Sequence, residues 1–226
     1  MEIQVHTTVS LQRVIRLLVW IVVGLVVLHL VGRMLGHWSW QARRILDLGQ
    51  ESNIPTWFTS LLFGAGALVA YDCSRLVRRG GQRLGWRAIA LGLVGLSIDE
   101  VSMLHEHLGP ALSPALKARF AATGWPVALA PAVLVGIILG IVVVWRCLPS
   151  ASEARQRIGW GAAMLVAGAW GLELTTNFLN WGTLAWLWEM EIIAEESLEM
   201  LGMIVVLSGL LVWRQELLKT HHMPRA

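Results

Sequence analysis

Seven acidic side chains, Asp99, Glu100, Glu106, Glu173, Glu195, Glu196 and Glu199, stand within the long apolar stretches of a 226-residue chain or at their ends. A carboxylate at the centre of a bilayer costs about 2.5–3.5 kcal/mol or more, so such groups pair, bind a cation or line a wet cavity. Carboxylates gathered in one dry pocket cannot all ionise: either some hold protons or a metal neutralises them. His29, His105 and His107 would add nitrogen donors, and carboxylate with imidazole on facing helices suits a divalent metal ion as cofactor. Di-iron bundles use Glu-x-x-His at i, i+3. This chain has no such pair, so a less regular site is expected.

The spacing brings these groups to one level. Asp99 lies 13 residues beyond Trp86, Glu173 13 beyond Trp160, and His29 13 beyond Arg16; at the helical rise each is about 20 Å above the inner membrane boundary. Glu195 runs the other way, 7 residues below Trp188, or about 10 Å. In a hydrocarbon core of about 30 Å these levels coincide. At about 100° per residue, Asp99, Ser102 and Glu106 form one stripe, with Glu100, Met103 and His107 beside it. Glu191, Glu195, Glu199 and Gly202 form another, flanked by Glu196, and Glu173 and Asn177 are one turn apart. The expected metal ligands are therefore Asp99, Glu106, Glu173, Glu195 and Glu199, with Glu100, His105, His107, Glu196, His29 and Asn177 as second choices.

The elements that must position these groups are apolar helices. The chain is 56% hydrophobic, above the 45–50% usual for soluble domains. Six spans are expected, over 14–36, 57–77, 86–107, 126–147, 160–180 and 188–213, each with the ~20 residues that cross a bilayer. The predicted fold is all-α: a polytopic bundle of six transmembrane helices, with residues 1–226 forming one domain. The first span is too long for a cleavable signal peptide. Arg75, Arg78, Arg79, Arg83 and Arg87 fall between spans two and three, and Arg146, Arg155 and Arg157 between four and five, while the break between five and six has neither Lys nor Arg. The positive-inside rule then puts both termini in the cytoplasm and opens the acidic site outward. Trp38, Trp40, Trp57, Trp125, Trp181, Trp186 and Trp188 mark the outer boundary and Trp86, Trp145, Trp160 and Trp213 the inner one, as interfacial belts do. The net charge of +3 comes largely from inner-face arginines, whose partners are membrane lipids rather than nucleic acid. Cys73 and Cys147 lie at cytoplasmic helix ends and have no zinc spacing.

Some local signals are sharper. Asn53-Ile-Pro55-Thr56-Trp57 reads as a capped helix start. Ser113-Pro114 opens a short helix to about Ala122 by the same chemistry; both connections would cover the acidic site. Ser60, Gly64 and Ala67 in span two and Gly136 with Gly140 in span four suit close helix contact. Structural readings compete at each polar position. Asp99 or Glu173 can pair with Arg33 or with each other through a proton, His29 can be a hydrogen-bonded core histidine, and Glu189 and Glu191 can be solvated mouth residues.

The strings Asn53-Ile-Pro55-Thr56-Trp57-Phe58, Ser97-Ile98-Asp99-Glu100 with His105-Glu106, and Glu195-Glu196-Ser197-Leu198-Glu199-Met200-Leu201-Gly202 resemble those of a group of uncharacterised bacterial multi-pass inner-membrane proteins. The resemblance covers most of the chain and implies a bacterial inner (cytoplasmic) membrane, without an activity to attach. Glu195-Glu196 also resembles the paired glutamates of CAAX-protease-like proteins, but the Arg of that pattern and its further His motifs are missing. Ser97, Asp99 and His105 superficially match membrane ceramidase-like hydrolases, yet spans four to six hold no His to complete a zinc set. Three functions are left by the residues: a membrane metal site, serving an oxidoreductase or hydrolase; a proton- or cation-coupled transporter; and a structural, assembly or sensor subunit of a membrane complex, or a homo-oligomer. Spans three, four and six carry few polar residues below Asp99, which favours a one-sided site over a conduit. Haem between His29 and His105 or His107 fits poorly with acidic surroundings that prefer hard cations.

Overall fold

The structure is a computed structural model that describes residues 2–35, 44–112, 125–178 and 185–222, with side chains over 11–34, 44–108, 125–175 and 186–220. Among the described residues it is all-helical: α1 Glu2–Leu35, α2 Ile54–Leu76, α3 Gly80–Ser102, α4 Leu104–Leu112, α5 Trp125–Ala128, α6 Ala130–Cys147, α7 Glu153–Val166, a π-helical turn Ala167–Leu172, α8 Glu173–Phe178 and α9 Ala185–His222. Five stretches are long and apolar enough to cross a membrane: Leu11–Met34, Ile54–Leu76, Ala130–Cys147, Glu153–Thr175 and Trp186–Thr220. This is a membrane protein by that measure. α3 has the length of a crossing helix but carries Arg83, Arg87, Asp99 and Glu100, so its polar load keeps it out of the apolar set. The Ser113–Ala122 helix expected from sequence lies outside the described residues.

α9 is the central post. Met200, Met203, Ile204 and Leu210 on it are fully buried, and it packs against α7, α2, the π turn and α1. Lipid tails are as apolar as Leu, so helices in a bilayer associate through close packing and small residues rather than hydrophobic transfer. Gly161 and Gly168 face Gly202 and the Glu195 backbone across the α7–α9 crossing, and a Cβ built on Gly202 would stand 2.9 Å from the Gly161 carbonyl oxygen and 2.9 Å from the Leu165 nitrogen. The two backbones touch there because neither residue has a side chain.

α2 and α3 form the other extensive pair. Ser60 and Ser97 clasp them: each hydroxyl donates to the other's carbonyl, at 2.9 and 3.0 Å. The small-residue side expected on span two thus does pack, with Ala67 buried and Gly64 near Ser97. Gly136 and Gly140 of α6 meet nothing within 4 Å, because α6 is the least enclosed of the crossing helices; their close contact within the chain is not found. The four Trp residues expected at the inner boundary differ in exposure. Trp145 and Trp160 are exposed, whereas Trp86 is fully buried and stacks on Trp213 at 6.4 Å between ring centroids.

The expected helix start at Asn53 is present. Its Oδ1 accepts the Thr56 N–H at 3.1 Å, and Pro55 sits in the first turn, where no donor is lost. The Asn53 side-chain amide also donates to the carbonyls of Asp47 and Gln50, at 2.6 Å each. The cap therefore folds the preceding loop back over the end of α2.

Candidate functional site

The third predicted span stops short. Met103 takes a left-handed conformation (φ 54°) and sends its N–H to the Asp99 carbonyl at 2.7 Å, which ends α3 at Ser102 and restarts the chain as α4. The Asp99 carboxylate fills the gap. Its Oδ1 accepts the His105 backbone N–H at 2.9 Å, as a capping acid does, and its Oδ2 lies 2.9 Å from His105 Nδ1. A carboxylate only accepts, so Nδ1 carries a proton in either state of the ring, and only the neutral ring would keep a lone pair on Nε2. The ring is fixed further by an edge contact with Trp125, 4.6 Å between centroids. The unbroken stripe Asp99–Ser102–Glu106 is thus corrected: Asp99 orients His105, and Ser102 Oγ donates to the Ile98 carbonyl at 2.6 Å. His107 is exposed, with Nδ1 2.6 Å from the Met103 carbonyl.

Glu51, on the loop before α2, is the site residue that sequence reasoning missed. The Thr56 hydroxyl donates to its Oε2 at 3.4 Å. The charges of Glu106, His105 and Asp99 act on it, and it in turn acts on Glu100, Glu195, Glu196 and Glu199. Burial, and next the negative charge of Glu106, push the Glu51 carboxyl above the ordinary carboxylate range. An acid whose folded-state affinity for protons exceeds its unfolded one costs stability once it ionises, and that cost vanishes as pH falls below its ordinary value. Glu51→Gln should therefore raise Tm at neutral pH and leave it unchanged near pH 4, where the native acid is already protonated. Thermal melts of both proteins across that range check this.

Glu100 and Glu196, second choices from their helical angle, belong to the gathered set. Glu196 is affected by Glu100, Glu51, Glu195 and Glu173, and Glu199 by Glu196, Glu100 and Glu195. The gathered set joins α3, α4 and the Glu51 loop to α9 and α8. Glu106 meets it through Glu51 and His105.

Glu173 arrives by a local irregularity. The π-helical turn Ala167–Leu172 precedes it, and such a turn widens the helix and rotates the next segment about its axis, commonly at functional sites. A Cβ on Gly168 would stand 2.9 Å from the Glu195 carbonyl and 3.1 Å from Glu199 Cγ, so the π turn lies directly on the acidic face of α9. The Glu173 and Glu195 side chains hydrogen-bond each other. Two carboxyls make such a bond only when one supplies a proton. Asn177 lies on α8, and its side chain is outside those described.

His29 is placed elsewhere. It is buried, and its Nδ1 accepts the Leu48 N–H at 3.1 Å, so the proton is on Nε2, which donates to Glu189 Oε2 at 3.1 Å. Asp47 lies 3.3 Å from the ring and also holds Arg33 at 3.5 Å, and Arg33 pairs with Glu189 at 2.8 Å. This latch ties α1, the 44–53 loop and the start of α9. It satisfies His29 as a core histidine, and it corrects two expectations: Arg33 serves Asp47 and Glu189 rather than Asp99 or Glu173, and Glu189 is a partner rather than a solvated mouth residue. Glu191 is buried.

Among the described residues, no three His, Cys, Asp or Glu side chains are arranged to hold a metal ion as they stand. The donors gather around a shared region without converging on one point. Comparisons with curated proteins and with solved structures find no match. One family does match, DUF8692, a domain of unknown function, over residues 15–214. With most of its length matched, the chain belongs to the DUF8692 family.

Proposed function

We propose that the Asp/Glu/His cluster is an outward-facing site that takes up a divalent cation in exchange for protons its carboxyls share, in a six-span protein of the bacterial inner membrane with both termini cytoplasmic. In this reading α3 is the remaining crossing, and the acidic part of its polar load, Asp99 and Glu100, belongs to the site. The observation that carries the proposal is the Asp99–His105 pair: a carboxylate on Nδ1 fixes the tautomer that offers Nε2 to a metal, and the charges of Glu51 and Glu106 fall on the same ring. His105, Glu51, Glu106 and Glu100 would supply the donors, with Glu195, Glu196 and Glu199 behind them and Asp99 acting as the orienting partner. Side-chain rotation would close the set.

The test is metal content of gently purified protein with its affinity for Mn²⁺ and Zn²⁺. Asp99→Asn should weaken binding by about 10–100-fold, as loss of such a partner does, and Glu195→Gln should lower bound metal with little loss of yield. Metal-free protein with no metal-dependent thermal shift would overturn the cation reading. The orientation has its own check. A cysteine at Gly182, in a background lacking Cys73 and Cys147, should react with an impermeant thiol reagent applied outside; reaction only from the inner face would reverse the topology.

One observation favours the second reading, proton-coupled transport. Glu173 and Glu195 approach each other from two helices, and a proton shared between them would be one that a transport cycle could take up and release. Tolerance or stabilisation in Glu195→Gln, without metal in the native protein, would select it.

A further inference from the structure

The two halves of the acidic site stand on different elements. His105 is on α4, with Asp99 near the end of α3, whereas Glu173 follows the π turn and meets Glu195 of α9. The short helix α5 packs against both α4 and α8, and two tryptophans fasten it. Trp125, buried, sets its ring 4.6 Å from the His105 ring in an edge contact. Pro126, the next residue, is fully buried, and its carbonyl oxygen accepts the Trp170 indole N–H at 3.0 Å. α5 ends at Ala128, and last-turn carbonyls have no partner in their own helix, so this oxygen is available to the indole.

Trp170 is an unusual place for an indole. It lies ten residues beyond Trp160, about 15 Å up the span, in the interior of the bundle rather than at an interfacial belt. Lipid supplies no acceptor at that depth, so the N–H needs one from the protein. Trp170 is also part of the π turn, and its own carbonyl accepts the Glu173 N–H. One residue thus holds Glu173 by its backbone and the platform under His105 by its side chain. We propose that Trp170 is a positioning residue of the acidic site: its bond to Pro126 fixes Trp125 against the His105 imidazole and sets where that ring stands relative to Glu173 and Glu195. It acts through Pro126 and Trp125, not by touching a cation. Its effect on cation uptake rests on the reading proposed above, whereas the fixing of the His105 ring stands on these contacts alone.

The experiment uses the full chain in nanodiscs with isotope-labelled histidine, the His105 ring signals being assigned by their loss in His105→Gln. In metal-free native protein the Trp125 ring should displace those signals from the positions of a free imidazole. Trp170→Phe removes the N–H and keeps an aromatic ring; it should return the signals toward free imidazole and weaken Mn²⁺ binding by about 3–10-fold. Benzothienylalanine in place of Trp170 keeps the bicyclic shape and lacks only the N–H, so it should do the same without a packing defect. Trp160→Phe, at an exposed ring, should change neither readout. Native His105 signals in both Trp170 variants, whatever their Tm, would overturn the proposal. So would displaced signals with unchanged Mn²⁺ affinity in a native protein that binds Mn²⁺, or an effect of Phe that benzothienylalanine does not reproduce. Native protein that binds no Mn²⁺, while both variants still release the His105 ring, would overturn the cation reading and leave the positioning of the ring.

Discussion

Gly202→Leu should abolish assembly. The α7–α9 crossing brings two backbones together at Gly161 and Gly202, with 2.9 Å from a Gly202 Cβ to the Gly161 carbonyl oxygen. Overpacking a core costs about 1–3 kcal/mol when side chains can yield. Backbone cannot yield in this way, so the expected cost exceeds that range and consumes much of the roughly 5–15 kcal/mol that holds a protein folded. Gly66→Ala is the control. Its Cβ would meet the flexible end of Met203, which can swing aside, so the loss should be far smaller. Folded yield after detergent extraction, read by size-exclusion profile and Tm, distinguishes them; a monodisperse Gly202→Leu protein with native Tm would refute the crossing.

Asp47→Ala should be the most damaging change in the latch that ties α1, the 44–53 loop and α9. It removes the acceptor that holds the Gly49 N–H at 3.1 Å and the carboxylate beside His29 and Arg33. Breaking a buried pair costs about 3–5 kcal/mol, and Arg33, 39% exposed, recovers part of this through water, so about 2–4 kcal/mol is expected. Asp47→Asn keeps a side-chain acceptor for Gly49 and loses only the charge, so it should cost distinctly less. Equal effects of the two substitutions would mean that the charge, not the loop hydrogen bonds, carries the latch. Chemical denaturation with reversible refolding, or Tm where refolding fails, gives the comparison.

The helical class and the membrane character are legible in the sequence because apolar length is a strong signal. The similar depth of Glu173 and Glu195 is legible too, since it comes from counting residues, but the π turn that brings Glu173 onto α9 is not. The features that escape are the places where the chain leaves the straight helix. Neither Gly nor Pro announces the break at Met103; it depends on Asp99 capping the next helix, a contact that only tertiary geometry reveals. Ala167–Leu172 reads as ordinary α-helix, and its π turn is set by packing on α9. Glu51 sits in a loop whose fold depends on Asn53 donating backwards, which spacing alone does not show. Glu189 reads as a mouth residue because His29, 160 positions away, cannot be placed beside it by spacing.

The exchange of protons for a cation is open to one direct measurement. Purified protein in weakly buffered solution near neutral pH is titrated with Mn²⁺ while a pH electrode records proton release. Saturable uptake with protons released in step with bound metal, and loss of both in Asp99→Asn at the same concentrations, is the expected result. Mn²⁺ addition that releases no protons and leaves Tm unchanged would contradict it.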